Sequence, residues 1–205
     1  MSKKKTLIIF IITVAFASLI SAVVNGQTNN KMTDYLHVPG PVIFDNVSYN
    51  LSWTSHPSDN FYKQEYIQKG DHADKFKTMI LLDVTTSNIQ IIDLVAMKLD
   101  ELKKMKLSNH MVNYETFDNP KSGEYMIDFL LSANSADGKT VDIVERNVYR
   151  YKTVTGKSGR KAVVLFGVSI RSYGNDIDKF LASLKSTKKV LVNAVAKYEI
   201  PVIEF

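Results

Sequence analysis

Residues 144–152 read VERNVYRYK, and the two-residue period of a strand divides them into two unlike faces. Val144, Arg146, Val148 and Arg150 fall on one face, and Glu145, Asn147, Tyr149 and Tyr151 on the other. β-Branched and aromatic residues favour a strand here over a helix. Two guanidinium groups then stand between valines on a face that should be core.

Working outward, residues 112–117 (VNYETF), 125–132 (YMIDFLLS), 141–152 (VDIVERNVYRYK) and 161–172 (KAVVLFGVSIRS) read as four successive strands. The connections DNPKSG, SADGK and TGKSGR are built from residues that tolerate tight turns. A two-residue hairpin at Asp137-Gly138 would set Leu131, Phe129, Ile127 and Tyr125 opposite Val144, Arg146, Val148 and Arg150. The next strand offers Ala162, Val164, Phe166, Val168 and Ile170 on that face, leaving Arg146 and Arg150 as its charged members.

An arginine is rarely buried without a partner, because stranding its charge costs several kcal/mol. Three explanations stand open. The stems cover the edge of the core while the heads reach water; the heads pair with helix acids such as Asp93, Asp100, Asp176, Asp178 or Glu199; or they bind an anion in a cleft between sheet and helices. On the opposite face this pairing clusters Asp128, Glu145, Asn147, Ser169 and Arg171 at one end, with room beside Asn147 at Gly167. Met126, Tyr149, Tyr151, Val163 and Leu165 form an apolar patch at the other end. The candidate ligand or anion contacts are therefore Arg146, Arg150, Tyr149, Tyr151, Arg171, Asn147, Glu145 and Asp128. The plainer alternative for the second face is a sheet surface partly covered and partly wet.

Nearer the N-terminus, the polar QTNNKMTD opens a flexible lead-in expected over residues 27–41, and HVPGPVIF (37–44), broken by prolines, is expected to dock as an extended segment. VSYNLSW alternates as a strand, HPSD reads as a turn, and NFYKQEYIQ as a second strand. MILLDVTT fits either a buried strand or the end of a helix begun at HADKF. A helix is expected from a cap at Ser87 or Asn88 to about Lys106, with Ile92, Val95, Leu99 and Leu102 on its apolar face. The last helix is expected from Asn175 to about Tyr198, with Ile177, Phe180, Leu181, Leu184, Leu191, Ala194, Val195 and Tyr198 on one face and Pro201 beyond it.

This element order implies an α+β fold, an antiparallel meander packed against two long helices over residues 42–205. In element order and in its long last helix the chain resembles the fold shared by the extrinsic oxygen-evolving subunit of photosystem II and a small Ran-binding import factor, a fold also found in exported bacterial proteins. The resemblance implies an accessory or binding role and carries over no site residue.

MSKKK followed by TLIIFIITVAFASLISAVV has the order of a secretory signal, with cleavage expected after Gly26 and a site after Ala17 as the alternative. An uncleaved anchor is the other reading of residues 1–26, and both readings export the remainder, periplasmic or secreted. Setting aside Lys3, Lys4 and Lys5 leaves 23 of the 26 cations against 21 acids, about +2, which is no nucleic-acid signature. The chain has no cysteine, so disulfides, thiolate metal sites, a cysteine nucleophile and a lipidated cysteine are excluded.

Known motifs fail on inspection. TGKSG lacks the glycine five positions before Gly156 that a phosphate-binding loop needs, and the turn around Gly138 lacks calcium ligands at Ala133 and Val144. Asp71, His72 and Asp74 lie close together but suit a solvated turn better than a metal. Asn46-Val47-Ser48 and Asn50-Leu51-Ser52 are sequons. No nucleophile elbow occurs. The expectation is an exported, non-catalytic domain without cofactor or metal, which binds a partner protein or assists an envelope process and touches membrane only through residues 1–26 if they stay attached. The alternatives are a binder of anionic or amphipathic small ligands and, third, a hydrolase with dispersed site residues.

Overall fold

The computed structural model describes residues 32–157 and 159–205, so the expected signal segment lies outside the described residues. Strands β1 (Val42–Phe44), β2 (Val47–Ser58), β3 (Phe61–Ile67) and β4 (Thr78–Thr85) precede helix α1 (Ile91–Lys106). Then come β5 (Asn113–Asn119), β6 (Glu124–Asn134), β7 (Val141–Thr155), β8 (Lys161–Tyr173) and helix α2 (Ile177–Lys197). The strands form one antiparallel sheet in the order β1-β2-β3-β4-β8-β7-β6-β5. The fold is α+β: two four-stranded meanders, joined where β8 returns to lie beside β4. Among the described residues no helix is long and apolar enough to cross a membrane.

Alternation along each strand sends apolar side chains to both faces, and each face has its own helix. Tyr66, Ile80, Leu82, Val84, Val148, Val164, Phe166 and Val168 pack with Val195 of α2. On the other face Met79, Leu81, Ile127, Phe129, Leu131, Tyr149, Tyr151 and Val163 pack with Val95 and Leu102 of α1. Fully burying one such side chain contributes about 1.5–3 kcal/mol.

The sheet curls strongly on the α2 side. Four strand spacings separate β1 from β8, about 19 Å on a flat sheet. Yet the Phe44 and Phe166 ring centroids are 5.9 Å apart, and Tyr198 beyond α2 stacks on Phe166 at 4.3 Å.

Several expectations need correction. The lead-in is not loose along its whole length: Leu36 and Val38 are buried. The buried Gln64 accepts from the Leu36 N–H at 2.9 Å, and the Val38 carbonyl accepts from the Tyr66 hydroxyl at 2.7 Å. The apolar core therefore begins before residue 42. Val42–Phe44 is a strand, turned into β2 by Asp45 and Asn46, both at positive φ (50° and 62°). That is the geometry of a tight two-residue hairpin. Strand β2 continues through His56-Pro57-Ser58, because an irregularity between Ser55 and Ser58 accommodates the proline; the turn falls one step later, at Asp59-Asn60. Of the two readings open for MILLDVTT, the buried strand is the one that holds. Helix α1 starts at Ile91, with the Asp93 carboxylate accepting from the Gln90 N–H, and Ile92 is exposed, whereas Lys98 is buried.

The decisive correction is register. Arg146 pairs with Leu130, and Val148 with Asp128. The Ser135 N–H bonds the Thr140 carbonyl across a longer loop, and the ladder slips between Ala133 and Asn134. A slip of one residue moves every side chain to the other face. Asp128 and Met126 accordingly join the α2 side, not the cluster around Asn147 and the patch around Tyr149.

Candidate functional site

With Asp128 on the α2 face, the partner of Arg146 is at hand. Arg146 Nε and Nη2 donate to the two Asp128 oxygens at 3.0 Å each, and Nη2 also donates to the Lys188 carbonyl of α2 at 2.9 Å. Arg150 Nε donates to Glu124 Oε2 at 2.8 Å. Its Nη1 reaches the Val195 and Tyr198 carbonyls at 3.2 and 2.8 Å, adding a donor at the end of α2, where the Val195 carbonyl also accepts the Tyr198 N–H at 3.4 Å. Burial pushes the Glu124 carboxyl up, but the bond from Arg150 and the charges of Arg150 and Lys152 outweigh it, and its pKa lies below the usual value. Both arginines are thus clamps between β7 and α2. Of the three explanations open from the sequence, ion pairing is the one seen, and the partners are strand acids in place of the helix acids that reading named.

Beside the first clamp lies a cleft of about 450 Å³. Asn113 and Glu115 of β5, Asp128 and Leu130 of β6, and Arg146 of β7 line the sheet side; Leu184, Lys185 and Lys188 line the helix side. It exists because the helices are offset. Helix α2 packs over β7 and β8, whereas α1 packs over β5, β6 and β7 on the opposite face. Lys188 bridges the opening to Glu115, and its carbonyl receives Arg146, so this one residue is tied to the sheet at both ends. The contribution of Lys185 and Lys188 was not legible beforehand, because helical spacing alone does not show where a sheet ends beneath a helix.

The other sequence candidates are brought together on the α1 face. Ser169 Oγ donates to Asn147 Oδ1, Asn147 Nδ2 to Glu145 Oε1 at 2.9 Å, and Arg171 Nε to Glu145 Oε2. The Arg171 guanidinium stands 4.1 Å from the Phe76 ring centroid, and its Nη1 is buried without a hydrogen-bond partner. Tyr149 and Tyr151 are not an open patch; they are 1% and 3% exposed and packed with the α1 cluster. Tyr149 meets Phe129 edge-on at 4.8 Å, and Lys98 lies 5.2 and 5.6 Å from the Phe129 and Tyr149 rings. Burial raises the pKa of both tyrosines. A β-carbon added at Gly167 would lie 3.0 Å from the Tyr149 ring, so glycine makes the space for that ring.

Sequence reasoning missed the acids of β3 and β4 on this face. Asp83 is buried, its Oδ1 has no hydrogen-bond partner, and Lys63 Nζ is 3.9 Å from Oδ2. Burial raises its pKa against the pull of Lys63 and Lys98. Burial likewise pushes Glu65 up to about 7, with Lys63 and Arg171 opposing and Asp83 and Glu145 adding to the rise. The alternation of Lys63 and Glu65 in FYKQEYI and the lone aspartate in MILLDVTT were the available signals.

Asp71 spends a carboxylate oxygen on the Lys77 N–H at 3.0 Å, and His72 pairs with Lys75 in a short bridge. Among the described residues no group of three or more His, Asp or Glu is placed to hold a metal ion. His56 stacks on Tyr62 with centroids 4.2 Å apart, a packing role within the strand pair.

Residues 36–200 match the model of a protein family, a span that takes in every strand and both helices of the described residues. The chain belongs to that family. The match starts at Leu36, the first residue of the docked lead-in to be fully buried. No curated protein matches the chain, and no solved structure does.

Proposed function

We propose that this protein is an exported, non-catalytic binding domain whose ligand sits in the cleft between α2 and strands β5 to β7. The observation that carries the reading is the cleft itself. Its volume of about 450 Å³ lies within the range of small-molecule sites. The Arg146–Asp128 pair and the Lys188 carbonyl hold its floor and wall in place, so the space is preformed. Arg146 spends its donors on Asp128 and the Lys188 carbonyl, structural bonds that favour holding a molecule over transforming one. The positive N-terminus and following apolar run support export. The resemblance in element order to the photosystem II extrinsic subunit and the Ran-binding import factor leans the same way, toward an accessory or binding role.

The test is native mass spectrometry of the protein isolated from the envelope or medium of its own host. The wild type is expected to retain a small-molecule mass, and the cleft-filling variant L130W to lose it. A bare chain, or a ligand held equally well by L130W, overturns the cleft reading. A mature mass beginning at Gln27 supports export with cleavage; one that includes residues 1–26 supports an anchored protein.

A second reading, a surface for a partner protein, is favoured by β1. It ends the sheet among the described residues, and Ile43 and Val202 are 53% and 76% exposed beside a cleft lined by Pro39, Pro41 and Pro201. An extended apolar segment of a partner fits such an edge by strand addition. Loss of a co-isolated protein in I43K, with any cleft ligand retained, would favour this reading over the first.

A further inference from the structure

Resting on the cleft reading, we propose that the ligand is an amphipathic anion: an apolar body carrying one carboxylate or phosphate head that Lys185 receives. The charges lining the cleft lead there. Arg146 is matched by Asp128 and Lys188 by Glu115. Lys185 has no ion-pair partner among the described residues, so the cleft carries one unbalanced cation. Leu184 precedes it on the helix, and Leu130 faces the same space from β6. Two leucines beside the one cation of the lining that has no ion-pair partner among the described residues suit a molecule with an apolar body and a single charge at one end.

A larger anionic group fits less well. Binding one would require pulling Arg146 away from Asp128, and that leaves a buried carboxylate uncompensated. Lys188 can adapt more readily. It and Glu115 are each about half exposed (49%), and such pairs contribute little, so an incoming head can draw on Lys188 as well as Lys185.

The experiment is titration of the full chain with decanoate, decanol and decylammonium, followed calorimetrically and by backbone amide shifts at Leu130, Leu184 and Lys185. Decanoate is expected to shift these amides and to bind about tenfold more tightly than decanol, the difference one charge-assisted contact supplies. K185E, a change at an exposed position, is expected to lose that advantage and to favour decylammonium. Equal binding of decanoate and decanol at these amides overturns the anion assignment and leaves the cleft reading standing. No shift at these amides with any of the three overturns the cleft reading itself. A vesicle arm separates the sources of the anion. Cosedimentation with phosphatidylglycerol vesicles that K185E abolishes assigns the head to a membrane lipid, and decanoate binding without cosedimentation assigns it to a free amphipath.

Discussion

Replacing Arg146 by Met tests whether the first clamp is a structural ion pair. The Arg146 and Asp128 side chains are 5% and 7% exposed and meet through two bonds of 3.0 Å. R146M leaves the Asp128 carboxylate buried without its partner, a loss of about 3–5 kcal/mol. The vacated Lys188 carbonyl adds about 1 kcal/mol. D128L alone should cost a similar amount, because it strands the guanidinium. The double variant R146M/D128L removes both charges together and should return to within about 1–2 kcal/mol of the wild type. Urea unfolding followed by circular dichroism reads all four proteins, with differences taken from the midpoint at constant m. A loss below 1 kcal/mol in R146M, or a double variant as unstable as the two singles added, would refute the argument. It would mean that the carboxylate is hydrated from the cleft and that the guanidinium is held for something other than Asp128.

Glu65 gives a pH dependence with a definite sign. Its folded pKa of about 7 stands above the ordinary 4.5, so between those values the folded state holds a proton that the unfolded chain has lost. The contribution is full below about pH 4.5 and is lost as pH rises through 7, at most about 3 kcal/mol. E65Q should flatten the fall in melting temperature between pH 5 and 8; identical profiles would contradict the burial of this acid. G167A is expected to cost about 1–3 kcal/mol by pushing against the buried Tyr149 ring, measured by thermal unfolding. N46A should lose about 1 kcal/mol at its positive φ, whereas N46G should stay close to the wild type; equal stabilities would argue against the tight hairpin after β1.

The face assignments within each strand were legible because they depend on a fixed period. Arg146 and Arg150 do share a face with Val144 and Val148, and Glu145, Asn147, Ser169 and Arg171 do meet on the other. What alternation along one strand does not contain is the offset between strands, which the loop sets. The turn at Asp137-Gly138 looked like a two-residue hairpin. A bond from Ser135 to Thr140 closes a wider loop instead, and Asp128 changed sides with it. The burial of Tyr149 and Tyr151 was hidden for a related reason: it depends on where α1 crosses the sheet, a tertiary fact that local pattern does not record. Lys98 shows the same limit. A charged residue one turn beyond Leu94 reads as solvent-facing, yet it lies against two aromatic rings and bonds Glu101 at 3.0 Å.

The two arginine clamps also act as a vernier between two kinds of chain. Along β7 the four residues from Arg146 to Arg150 advance about 13 Å. Along α2, Lys188 is seven residues from Val195 and ten from Tyr198, an advance of about 10–15 Å. The strand and helix repeats therefore come into step once, over this interval, and both anchor points move in the same direction along their chains. Substitution on the outer surface of the helix leaves that coincidence intact. One residue inserted between Lys188 and Val195 turns everything beyond it by about 100° and carries the helix end away from Arg150. The interval between the clamps is therefore fixed in length more tightly than in composition.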